Sequence, residues 1–255
     1  MRSALDAPLV RQLAGGLALL AVWEFFSRIG WIDPFYLPAP SAIAATLYQV
    51  FADGSIWPHL IATLSAALVG LTLGLLIGAV LGFAAALIRP LADLLEPVMI
   101  LLNAIPRVIL APLFIIWFGI GLGSKIAVSL VLVAVLIFFA VYSGIREVDV
   151  RLVERVKTLG GGRATLLREV YIPSVTSWIM GNLKVAVGFS FTGAVVGEFV
   201  ASARGLGYLL SFAQSTYNAS LTIALIFLIM AFVLVLFGLA GRLERWLLAW
   251  RYAGT

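Results

Sequence analysis

One histidine, no cysteine and a few charges stranded in apolar runs are what this chain offers for chemistry. His59 stands alone, so a His-based metal cluster cannot form. Without cysteine there is neither a thiolate nucleophile nor a disulfide framework. The nearest approach to a phosphate loop is Gly119-Ile120-Gly121-Leu122-Gly123-Ser124-Lys125. It puts Ser before Lys rather than Lys before Ser or Thr, and lacks the Gly-x4-Gly-Lys spacing. No Gly-x-Ser-x-Gly elbow is present either. These residues predict a chain with no catalytic set, no metal site and no means of hydrolysing ATP by itself.

The stranded charges are a different matter, because ionisable groups in apolar runs mark pathways. Arg107 is the first candidate. If its apolar run starts near Leu91, Arg107 lies about 24 Å along a straight helix, too deep to reach the surface where that helix begins. Its burial would cost roughly 2.5–3.5 kcal/mol on insertion scales. A cavity passing small anions would use that charge; otherwise it snorkels outward or pairs with Glu198. Asn103, Trp117 and Glu198 are further pathway candidates, each with a packing or hydrated alternative. Lys184 stands close to the start of its run and can reach back to the surface.

Composition identifies the elements that must hold these groups. The 255 residues are 63% hydrophobic and 11% charged, with mean hydropathy +1.12. Soluble domains carry roughly a quarter charged residues, so this chain cannot cover a water-facing surface. Six membrane-spanning helices are expected at about Val10–Ile29, Leu60–Ile88, Leu91–Phe118, Ile126–Ile145, Trp178–Val200 and Leu221–Leu239, in one domain covering 1–255. Each is near the ~20 residues needed to cross the hydrocarbon. The first is read as a retained anchor, since Trp23-Glu24-Phe25-Phe26 makes a poor cleavage region.

With the N-terminus in the cytosol, the cytosolic segments hold Arg2, Arg11, Arg89, Arg146, Arg151, Arg155, Lys157, Arg163, Arg168, Arg242, Arg245 and Arg251. The outer segments hold Arg28, Lys125 and Arg204. Basic residues concentrate inside, so both termini are expected in the cytosol. This bias accounts for the +5 net charge without invoking nucleic acid.

Small residues recur every fourth position in the second span: Ala62, Ala66, Gly70, Gly74, Gly78, Gly82 and Ala86. Such a stripe admits another helix closely, either within the subunit or from a second copy. Leu37-Pro38-Ala39-Pro40-Ser41 is a stiff turn in which Ser41 can cap the next helix. That helix carries Ile43, Leu47, Val50 and Phe51 on one face, as expected of a helix lying on the membrane surface. The largest cytosolic loop, about 146–177, is the most informative segment. Leu152, Val153, Val156 and Leu159 keep helical spacing, and Gly160 falls where a C-terminal cap belongs. A second helical stretch, Ala164–Val170, precedes a stop at Pro173.

The spacing Glu154, six residues to Gly160, then Val170-x-Ile172-Pro173 resembles the signature loop of ABC importer permeases. That pattern is Glu-Ala-Ala, three residues, Gly, nine residues, Ile-x-Leu-Pro. Glu154, Gly160 and Pro173 match outright, whereas Arg155 and Val156 replace the two alanines. Leu37–Ser41, Asn103-Ala104-Ile105-Pro106-Arg107, Ala111-Pro112-Leu113, Trp117–Gly121, Gly197-Glu198 and Gly205-Leu206-Gly207 resemble the nitrate, sulfonate and taurine branch of that family. Together they cover roughly residues 24–250.

The resemblance implies an all-α type I importer permease with a cytoplasmic coupling-helix loop. Its loop seats in a cytosolic ABC ATPase through Glu154, Arg155, Leu159, Gly160, Gly161, Ile172 and Pro173. ATP and Mg are bound by that partner, and this chain needs no cofactor. The implied partners are two ATPases, a second copy of the chain, membrane lipid and a periplasmic or extracellular substrate-binding protein, in a bacterial inner membrane. The expected solute is a small anion of the nitrate, sulfonate or taurine type, although aromatic acids and thiamine or riboflavin precursors fit permeases with the same motifs. The alternative is a stand-alone ion-coupled carrier, which would usually need inverted repeats and paired mid-membrane acids; neither is found. An intramembrane enzyme would need a nucleophile–base pair or metal ligands.

Overall fold

A computed structural model describes residues 8–106 and 109–247. Arg107 therefore lies outside the described residues, as do Arg2 and Arg251 of the charge count. The described chain is helical: α1 (Pro8–Arg28), α2 (Pro40–Ala52), α3 (Trp57–Leu87), α4 (Arg89–Ala104), α5 (Leu110–Phe118), α6 (Leu122–Arg146), α7 (Val150–Thr158), α8 (Arg163–Leu166), α9 (Ile172–Val200), α10 (Leu206–Ser215) and α11 (Ala219–Leu247). Four of these stretches are long and apolar enough to cross a membrane: α3, α6, the run 163–200 ending in α9, and α11. α1 overlies the first expected span.

The third expected span is not one straight helix. α4 and α5 point 112° apart. Pro106 explains the break, because its ring drives the preceding residue out of the helical region. Ile105 accordingly sits at φ −69°, ψ 129°. The depth expected for Arg107 assumed a continuous helix, and Arg107 itself lies outside the described residues.

α3, α6 and α9 form the centre, and the small-residue ladder is the seam between the first two. A Cβ on Gly74 would lie 2.6 Å from Val133 Cβ, one on Gly78 2.5 Å from the Ala134 carbonyl oxygen, and one on Gly82 2.6 Å from that of Phe138. Gly70 meets Ser129 more closely still. The four glycines of the stripe are thus met by α6 of the same chain, the within-subunit packing of the two expected uses. Polar groups add to this centre: Ser129 Oγ donates to the Ser190 carbonyl at 2.8 Å, and Ser190 Oγ donates to that of Ala67.

α2 departs from expectation at its start. Ala39 is the N-cap, and Ser41 lies inside the helix. The cap comes instead from α1, where Glu24 accepts from Ser41 N at 3.0 Å and from Ser41 Oγ at 2.7 Å. A carboxylate suits the positive end of a helix. Ile43 is buried, and Leu47, Val50 and Phe51 pack into the protein's core beside α3, α10 and α11 rather than onto lipid.

Candidate functional site

The loop between α6 and α9 folds from local signals. Asp149 caps α7, its side chain accepting from Arg151 N at 2.8 Å. The helix ends in a Schellman arrangement, with Gly161 N donating to the Val156 carbonyl and Gly160 N to that of Lys157, both at 2.9 Å. Gly160 takes φ +82°, the left-handed region that favours glycine. Gly161 has a separate constraint: a Cβ there would lie 2.5 Å from Val156 Cγ1. The chain then turns into α8.

Pro173 does not stop the second helix. Residues 163–200 run as one 38-residue helical stretch, with a π-helical turn at Leu167–Tyr171 directly before α9. The wider turn takes up the hydrogen bond and space that a proline within a helix disturbs. The helix therefore begins well before Trp178.

The roots of the loop are fastened. Ser174 Oγ donates to the Gly144 carbonyl at 2.9 Å, and Trp178 lies where a Gly144 side chain would be, 2.6 Å from a Cβ built there. Arg146 Nη1 donates to Tyr142 OH at 2.7 Å, which donates to Glu96 on α4 at 2.9 Å. Between α7 and the start of α9 lies a groove of about 540 Å³, lined by Leu152, Arg155, Leu159 and Pro173 among others. Leu159 is 79% exposed, Val150 66% and Leu152 51%. Glu154 is exposed, with no side-chain partner among the described residues, and Ile172 is half exposed. The structure thus gathers the predicted loop residues into one knob of charges and bare apolar side chains. Such patches mark interaction surfaces.

The three described pathway candidates do not share one environment. Asn103 and Trp117 are exposed on α4 and α5, either side of the bend, and Arg107 is outside the described residues. Glu198, expected at a hydrated end, is 2% exposed. Its Oε2 accepts from Thr63 Oγ1 at 2.8 Å and from Gly207 N at 3.0 Å. Lys125, counted as an outer-segment charge, is 3% exposed in the first turn of α6 and donates to the Ile120 carbonyl. Lys125, Glu198 and Arg204 border a separate cavity of about 250 Å³.

Sequence reading missed His59 and Thr63 as members of this cluster. The signal available was their spacing, one turn apart on an apolar helix. Lys184, expected to snorkel, instead pairs with Glu244 of α11 at 3.1 Å.

Long apolar helices carrying a charged, apolar-faced knob describe a membrane-spanning protein with an exposed interaction surface. The chain belongs to the binding-protein-dependent transport system inner membrane component family, whose profile matches residues 70–249, and is an ABC importer permease subunit. It is 38% identical over 234 residues to the riboflavin transport system permease protein RibX of Chloroflexus aurantiacus, covering 92% of this chain and 87% of that one. To the taurine transport system permease protein TauC of Escherichia coli it is 30% identical over 254 residues, covering 95% and 92%. Among solved structures, an amino acid ABC transporter aligns with TM-score 0.62 at 20% identity, over 78% of this chain and 97% of that one. The MetNI methionine ABC transporter aligns with TM-score 0.58 at 22% identity, over 74% and 93%. These share the type I importer permease fold. Family membership sets aside the stand-alone carrier.

Proposed function

We propose that the knob at 146–177 is the docking element for a cytosolic ABC ATPase, and that ATP hydrolysis there drives import through a pair of these chains. The observation that carries this reading is Leu159, Val150 and Leu152 standing bare among Glu154, Arg155 and Lys157 on a helix whose cap leaves Gly160 facing open space. Both termini lie in the cytosol, and a binding protein delivers solute at the opposite face. ATP and Mg belong to the partner.

The solute we favour is a small anion of the sulfonate or taurine type, supported by the taurine relative and by aliphatic sulfonate permeases at 29% identity. A second reading, a flavin or pyrimidine-like solute, is favoured by the 38% identity to the riboflavin permease. Purifying the chain in mild detergent tests docking: an ABC ATPase should accompany it, and its absence would sink the reading. Uptake of labelled taurine, ethanesulfonate and riboflavin by cells expressing the whole operon decides between solutes. Riboflavin uptake without sulfonate uptake would overturn the anion assignment.

A further inference from the structure

Three consecutive backbone N–H groups at the start of α10 are each taken by a side chain from another helix. Gly205 N lies 3.1 Å from His59 Nδ1, which accepts from it in the Nε2-protonated tautomer; Leu206 N donates to Thr63 Oγ1 at 2.8 Å; Gly207 N donates to Glu198 Oε2 at 3.0 Å. These are groups that a helix N-terminus otherwise leaves unsatisfied. Thr63 also donates to Glu198, so α3, α9 and α10 are tied through one hydroxyl. The His59 ring stacks on Tyr208 of α10, centroids 5.8 Å apart and planes 3° from parallel. Gly205 and Gly207 leave no room for a side chain: a Cβ on Gly205 would collide with the Glu198 carboxylate, and one on Gly207 would lie 2.8 Å from Glu198 Cβ.

The other end of the same helical run is the knob. Residues 163–200 form 38 helical residues, about 57 Å at 1.5 Å per residue, from the loop's glycine turn to two residues past Glu198. From this geometry we propose that Glu198 and Thr63 are positioning residues for transport: they clamp α10 to α9, so displacement of the ATPase-seated loop is delivered to α10 at the opposite face. This rests on the docking reading above.

The test uses the full complex of permease, ATPase and binding protein in proteoliposomes. Thr63→Val keeps the side-chain shape and removes the hydroxyl; Thr63→Ser restores it; Glu198→Gln retains an oxygen acceptor, whereas Glu198→Ala does not. Thr63→Val and Glu198→Ala should still bring the ATPase and hydrolyse ATP at the basal rate. Their uptake should fall at least about tenfold, as expected when a buried donor or acceptor is left unsatisfied, with stimulation by the binding protein lost too. Thr63→Ser and Glu198→Gln should recover most of the uptake. Unchanged uptake in Thr63→Val and Glu198→Ala would overturn the proposal. So would a parallel fall in assembly, basal hydrolysis and uptake, because the cluster would then only hold the fold. A wild-type chain that brings no ATPase removes the docking reading, and this one with it.

Discussion

Replacing Gly160 with Asp and with Asn separates docking from folding at the knob. Gly160 adopts φ +82°, and no atom lies within 4 Å of a Cβ built on it. Either side chain therefore bears only the left-handed conformation, roughly 1–2 kcal/mol in general and less for Asn and Asp. Asp adds an acid at the negative end of α7, unfavourable by about 0.3–1 kcal/mol. Both variants should melt within several degrees of wild type, since 1 kcal/mol moves a chain of this size by about 2–4 °C. Against a seated ATPase the two differ sharply. An uncompensated carboxylate buried in a contact costs about 2–5 kcal/mol, at least about a 30-fold loss of affinity, whereas Asn brings no charge. Co-purification from detergent, quantified as ATPase per permease, reads the difference: Asp should strip the ATPase and Asn should retain most of it. Wild-type stoichiometry with Asp would place the docking surface elsewhere. Loss with Asn as well would refute the claim that charge at the contact, rather than backbone conformation, is decisive.

Two further outcomes follow from the packing. Gly74→Ala should lower thermal stability in detergent by about 1–3 kcal/mol through overpacking, because its Cβ would lie 2.6 Å from Val133 Cβ and 2.9 Å from the Leu130 carbonyl oxygen. Adding Val133→Ala should recover only part of it, the backbone oxygen being fixed, while Gly238→Ala, with nothing within 4 Å, should be neutral or gain up to about 1 kcal/mol. Glu24→Ala should uncap α2, read as faster amide hydrogen exchange over residues 41–43; unchanged exchange would show that the contact to Ser41 does not hold the helix start.

Where the sequence was legible, the deciding physics was local. A period of four small residues describes one helix face, and the structure fills that face with α6. The Gly160 cap was readable because the left-handed turn is a property of the residue at the helix end. Elsewhere local reading failed for reasons that can be named. Apolarity is continuous from Leu91 to Phe118, and hydropathy reports the solvent a segment prefers, not its direction; Pro106 carried the direction, through the conformation it imposes on Ile105. Pro173, read as a stop, is passed because a π turn precedes it. Glu198 looked like an end charge free to hydrate, being two residues from the end of α9. It is buried because the chain folds straight back over it, and the fold-back needs two glycines: a Cβ on Gly205 would collide with that carboxylate, and one on Gly207 with α9 itself at the Val195 carbonyl oxygen. Gly197-Glu198 and Gly205-Leu206-Gly207 are thus one feature in space. Neither motif alone carries the information, since the hydroxyl joining them belongs to Thr63, more than 130 residues earlier. A buried acid shared by three helices is where rigid coupling can be built, and only the folded chain places it opposite the knob.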